Sequence, residues 1–193
     1  MTYEKTLHYN TPRTKPLWIA LKAILNSLHK KGWLGDTFHL SHGDFFPRNV
    51  LVRLTSPSTV AITGVVDWDM ASFAPRAVAL RAPFWAWKGS AADEQDEDVA
   101  RTLVMGEERV ALKNAFLETA SEGYQAFGLG VEAIIVRKIW LLAVEGLGSE
   151  VAKSIATELV DQWGEMYPEF DVVVVWTDVM AKMEVKDDSE WDN

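Results

Sequence analysis

His42-Gly43-Asp44-Phe45-Phe46-Pro47-Arg48-Asn49, followed by Gly64-Val65-Val66-Asp67-Trp68-Asp69, are the stretches whose reading decides the fold. Beside them lie two apolar, β-branched runs, Val50-Leu51-Val52 and Val60 to Val66, parted by Ser56-Pro57-Ser58. Such runs either side of a Pro/Ser break predict a β-hairpin, here with a loop longer than the tightest type. The first polar stretch precedes one strand and the second follows its partner. The hairpin therefore brings Asp44 and Asn49 back towards Asp67 and Asp69.

That set of side chains has a chemistry. A carboxylate within hydrogen-bond reach of a hydroxyl orients it and accepts its proton. Mg²⁺ prefers oxygen ligands, commonly one or two protein groups completed by phosphate oxygens and water. Asp44 as base, with Asn49 and Asp67 as metal ligands, meets both requirements. The plainer reading is that Asp44 and Asn49 only cap a turn, as these residues often do. The joint pattern and its hairpin context favour the chemical one.

Outward from the hairpin the pattern is helical. Leu17, Trp18, Leu21, Ile24, Leu25 and Leu28 recur at helical spacing behind Thr14, a candidate cap, and Pro16, tolerated in a first turn; Gly32 ends the run. Arg76 to Trp87 is a short apolar segment. Residues 93–127 read as one or two long helices opening on the acidic run Asp93 to Asp98, which suits a solvated first turn better than a metal site. Val131 to Val144 and Glu150 to Trp163 read as further helices broken at Gly146 and Gly148. Phe170 to Trp176 is read as helix, because a mainly helical surround offers a lone strand no partner. The expected class is α+β, mainly helical. Residues 1–15 form an arm, 16–185 the folded body and 186–193 an acidic tail.

Composition narrows the partners. A net charge of −9 argues against nucleic acid, which needs clustered Lys and Arg. There is no cysteine, so disulfides and thiolate metal sites are excluded. No apolar run of membrane-spanning length occurs, and a cytoplasmic protein with no membrane partner is expected. Nine Trp is a high count. Trp68, Trp85, Trp87 and Trp140 fall in apolar surroundings, where core packing is the first reading and a flat-ligand pocket the second.

His42 to Asn49 resembles the H-x-D-x-x-x-x-N catalytic loop of the kinase fold. Gly43, Pro47, and Asp67-Trp68-Asp69 in place of D-F-G make it similar to the aminoglycoside phosphotransferase and choline-kinase-like branch, in its fungal-type form. Phe38 to Asn49, Ile62 to Ala71 and Pro83-Phe84-Trp85 carry that likeness, which covers roughly residues 16–165. The resemblance implies that Asp44 is the catalytic Asp, Asn49 a Mg²⁺ ligand and Asp67 the Mg²⁺ ligand bridging ATP phosphates. It makes His42 a structural member of the loop and Asp69 a support for the metal or phosphate region. Arg48 and Arg76 become anion contacts or salt-bridge partners. Phe46, Arg48, Trp68, Trp85, Trp87 and Trp140 become candidate lining of a small-molecule substrate site.

The same resemblance implies a first lobe with a Gly-rich cover, a strand Lys and a helix Glu. Residues 1–15 show no strand pattern and no Gly. The expectation is therefore the C-terminal lobe alone, with the N-terminal lobe absent. Losing even one charge-stabilising donor costs on the order of 100- to 1000-fold in rate. The preferred expectation is thus a repurposed small-molecule enzyme, in which Asp44, Asp67, Asp69 and His42 perform ATP-independent acid–base chemistry and no cofactor is required. The alternatives are a Mg-ATP phosphotransferase lobe needing a partner, and a non-catalytic binding module. Self-association through the exposed former lobe interface is the expected oligomeric route.

Overall fold

The computed structural model describes residues 14–88, 97–102, 104 and 106–169. The N-terminal arm to residue 13, Asp93 to Asp96, the Phe170 to Trp176 run and the acidic tail lie outside the described residues. The chain divides into two compact units, residues 1–32 with 135–193 and residues 33–134.

In the first unit, helix α1 (Lys15–Lys30) turns one apolar stripe inward. Leu17, Leu21, Ile24 and Leu28 are buried there, each worth about 2 kcal/mol of transfer from water. Helix α1 starts where the sequence reading placed it, with Pro16 in its first turn, although Thr14 stands in helical geometry and makes no side-chain cap to the backbone. Helix α1 packs on helix α8 (Glu150–Met166), whose Ala152, Ala156, Leu159 and Trp163 form the matching stripe. Ser149 caps α8 through the Ala152 amide. The ammonium of Lys31 sits 4.2 Å from the Tyr167 ring centre, just beyond the two helix ends.

The second unit holds two separate antiparallel ribbons. Strand β1 (Phe38–Ser41) pairs with β4 (Ser72–Pro75), with Phe38 opposite Pro75 and Leu40 opposite Phe73. This ribbon was not foreseen; its signal is the alternation Phe38-His39-Leu40-Ser41, four residues long. Strand β2 (Val50–Ser56) pairs with β3 (Thr59–Val65), which is the expected hairpin, but its strands run further and its loop is only Pro57-Ser58. Among the described residues only Asp67 combines a side chain with positive φ, so the turn is not of the mirror-image type that matches strand twist. Register slips next to it, between Leu54 and Ser56, and again between Leu51 and Val52.

Helices follow: α2 (Arg76–Ala79), α3 (Trp85–Lys88), α4 (Glu97–Thr102), α5 (Glu107–Thr119) and α6 (Glu122–Leu129). Among the described residues of 93–127, where one or two long helices are expected, the chain forms α4, α5 and α6. Gly106, at φ 91°, precedes α5, and Ser121 stops the chain and caps α6 through the Tyr124 amide. Ala82, Phe84, Trp87 and Ala100 form a buried cluster, with Phe116 of α5 packed against it. Helix α7 (Val131–Glu145) is buried continuously from Ala133 to Arg137, as a helix apolar on nearly every side should be. No helix among the described residues is long and apolar enough to cross a membrane.

Candidate functional site

The loop between β1 and β2 is built around Asp44. Its backbone carbonyl accepts the Phe46 amide at 3.1 Å, and a 3₁₀ turn, Pro47–Asn49, follows. Pro47 occupies the first position of that turn, where a missing N–H costs nothing. Asn49 is buried, and its side-chain Nδ2 donates to the Asp44 carbonyl at 2.8 Å and to Asp44 Oδ2 at 3.0 Å. Both partners are acceptors, which settles the amide's orientation. Asn49 Oδ1 therefore points away from Asp44 and takes no hydrogen bond among the described residues. The other Asp44 oxygen, Oδ1, accepts from Arg48 Nη2 at 2.6 Å, and the guanidinium of Arg48 lies 4.7 Å from the Phe46 ring centre.

The second stretch is tied to the first by backbone. The Val66 amide donates to the Asn49 carbonyl at 2.9 Å, extending the β2–β3 ladder by one rung to the residue before Asp67. Asp67 itself has φ 64° and ψ 61°, left-handed geometry that Asp tolerates better than most side chains. A second 3₁₀ turn, Trp68–Met70, begins there. Gly43, at φ 77°, lies directly against it: a Cβ on Gly43 would collide with the Met70 carbonyl oxygen. Only glycine lets the two loops approach this closely.

His42 joins the loops from within. Buried, it donates from Nε2 to the Val66 carbonyl at 2.9 Å, leaving Nδ1 as a buried acceptor without a partner. Its ring rests on Trp68, centroids 4.5 Å apart, and Trp68 in turn donates to the Val65 carbonyl at 2.9 Å. Phe45, which the sequence reading passed over, stands 6.0 Å from His42 and 6.1 Å from Trp85. The Phe45-Phe46 doublet after Asp44 was the available signal.

The remaining candidates fall in different places. Asp67 and Asp69 are exposed, Asp44 is half-buried, and Trp68 is 46% exposed. Trp85 is half-buried, with its indole N–H enclosed and unpartnered. Trp87 is 1% exposed and donates to the Ala100 carbonyl at 3.0 Å, so it packs in the core. Trp140 belongs to the first unit, half-buried there. Arg76 lies over the Phe127 ring at 5.3 Å. The structure thus gathers His42, Asp44, Phe46, Arg48, Asn49 and Trp68 into one network with the backbone that leads into Asp67.

The oxygen donors of this network suit a hard divalent cation. Asn49 Oδ1 is a carbonyl oxygen left over by the two Nδ2 bonds, and Asp67 offers a carboxylate held by a constrained backbone. Among the described residues no three His, Asp or Glu side chains gather into a self-sufficient metal cluster, so two protein oxygens would leave the other positions to phosphate and water. No curated protein and no solved structure matches the chain. A model of the phosphotransferase enzyme family matches residues 3–114, more than half of the 193 residues and the whole of the network just described. The chain belongs to the phosphotransferase enzyme family.

Proposed function

We propose that residues 33–134 carry the hydroxyl-activating and metal-holding part of a small-molecule phosphotransferase, corresponding to the C-terminal lobe of the kinase-like fold. The observation that carries this reading is the orientation of Asn49. Its N–H₂ group is used to hold Asp44 in place, and its oxygen is thereby left for a cation. One residue thus sets the base and presents a ligand.

In this reading Asp44 orients the acceptor hydroxyl and receives its proton, while Asn49 and Asp67 hold Mg²⁺. The metal, when bound, neutralises charge on the phosphates of the nucleotide. Arg48 keeps the Asp44 carboxylate ion-paired before substrate arrives, and it must yield Oδ1 to the acceptor hydroxyl. His42 fixes the separation of the two loops through the Val66 carbonyl, and Phe46 and Trp68 present aromatic surface beside them.

Metal-independent acid–base chemistry at the same aspartates is the second reading. It stands second because Asp67 and Asp69 are exposed, where such chemistry asks for exclusion of water. Calorimetry with Mg-ATP, and a transfer assay over a panel of hydroxylated amines and other small alcohols, separate the two. Asn49→Ala and Asp67→Ala should each abolish Mg-dependent nucleotide binding. Asp44→Asn should leave binding in place and slow transfer by about 100-fold or more. Activity that survives chelation of Mg²⁺, or nucleotide binding untouched by Asn49→Ala, would overturn the phosphotransferase reading.

A further inference from the structure

Among the described residues, Arg101 of α4 and Lys113 of α5 are cations with no carboxylate as a salt-bridge partner. Lys113 of α5 donates from Nζ to the Arg101 carbonyl, in the last turn of α4, at 2.5 Å. That bond explains why Lys113 is drawn there, since the final carbonyls of a helix lack intrahelical donors. It does not neutralise the ammonium, and Arg101, whose carbonyl takes the bond, carries a second positive charge on its own side chain. Arg101 Nε is buried without a hydrogen-bond partner. Glu97, one turn earlier on the same helix, is committed to Arg81 at 2.6 Å. On the other flank Arg109, one turn before Lys113, donates to the Lys88 carbonyl at 3.5 Å.

Two adjacent, half-buried cations repel each other, and partial removal from water raises that cost. A negative ion seated with them would offset that repulsion. The chain as a whole has a net charge of −9, so this grouping runs against its own composition. A carboxylate would neutralise one of the two charges; a phosphate, between one and two negative charges at neutral pH, matches both. A guanidinium fork beside a lysine point charge also suits a tetrahedral oxyanion. Both side chains keep part of their surface in water.

We propose that Arg101 and Lys113, with Arg109 at the rim, form a binding site for a phosphate-class oxyanion. This site is separate from the network around Asp44 and independent of the phosphotransferase reading. Inorganic phosphate is the probe, titrated into the full chain without divalent cations and compared with sodium chloride at matched ionic strength. Calorimetry should show saturable phosphate binding with no counterpart in chloride. Lys113→Met and Arg101→Met should each weaken it by about ten-fold or more. In phosphate-free chloride buffer Lys113→Met should melt no lower than wild type, since it removes a repulsion and keeps an apolar stem; a purely structural lysine would give a lower melting temperature. Asp44→Asn should bind phosphate as wild type does. Phosphate behaving like chloride, a Lys113→Met protein with undiminished affinity or a lowered melting temperature, or loss of binding in Asp44→Asn would each overturn the proposal.

Discussion

At the scale of single residues, Asn49 and Arg48 both touch Asp44, yet their energetic roles differ. Asn49 is buried, and its two bonds to Asp44 replace water that cannot reach it. Asn49→Ala strands those acceptors and should cost about 1–3 kcal/mol of stability, read from the denaturant midpoint. Asn49→Asp is more diagnostic. It keeps an oxygen for a cation but sets a second carboxylate against Asp44, where the amide had stood 3.0 Å away. That variant should be less stable than wild type without Mg²⁺ and show a larger Mg²⁺-dependent rise in Tm. Equal stability of Asn49→Asp and wild type in chelator would refute the assigned amide orientation. Arg48 makes the shorter contact, 2.6 Å, but its side chain is 63% exposed. Water screens such a pair, so Arg48→Ala should change the unfolding free energy by less than about 1 kcal/mol. A loss of several kcal/mol would mean that the pair is far better shielded than its exposure indicates.

At the scale of elements, the site depends on two loops meeting, and Gly43 is where they meet. Its φ of 77° disfavours any side chain, and a Cβ there would press on the Met70 carbonyl, which backbone cannot easily yield. Gly43→Ala should cost about 2 kcal/mol or more and spread the 3₁₀ turn at Trp68–Met70 away from the loop. A fall in melting temperature together with a shift in Trp68 emission checks this, and an unchanged protein would show that the loops adapt. Gly43 also shows how the site was legible in sequence. The residues proposed to do chemistry were readable because their types and spacing would be constrained by that chemistry: Asp44, Asn49 and Asp67 can be named without knowing how they pack. Helices α1 and α8 were readable because long apolar stripes bury one face, and α7 because its run is apolar on nearly every side.

What escaped was short or two-sided. Strand β1 is four residues long, and its partner β4 lies beyond the hairpin, so nothing local announces the pairing. The helical breaks at Gly106 and Ser121 were missed because helix α5 has no buried residue of its own and hence no stripe to end. Trp87 and Trp85, two residues apart, read alike in sequence. One is sealed in the core with its N–H satisfied by the Ala100 carbonyl, while the other stands by Phe45, because a short helix turns them to different sides. Residue type favours burying a tryptophan; only the path of the chain decides whether it faces a core, a site or, as with much of Trp68, water.

At the scale of the whole molecule, the charge balance makes Lys113 behave unlike its surroundings. With a net charge of −9, every proton lost at alkaline pH adds to self-repulsion and lowers stability. Lys113 runs the other way. Partial burial first, and the charge of Arg101 second, hold its amine below the ordinary lysine value of 10.5. Arg101 faces it from α4 and Arg109 lies one turn away on α5, while the carboxylates of α4 are Glu97, paired with Arg81, and Asp98 in the first turn. Between the lowered folded value and 10.5 the unfolded chain holds the extra proton. Raising the pH through that window therefore relieves a penalty in the folded state. Below the window the penalty is present in full, and above the ordinary value it is gone. Global alkaline destabilisation hides this in wild type alone, so the measurement is a difference. In phosphate-free buffer Lys113→Met should be the more stable protein near pH 8, and its advantage should shrink as the pH approaches about 10.5. Chemical denaturation of both proteins across that range gives the two curves. An advantage that stays constant or grows with pH would mean that the ammonium is not strained in the fold, and that the cations at α4 and α5 already have their counter-charge.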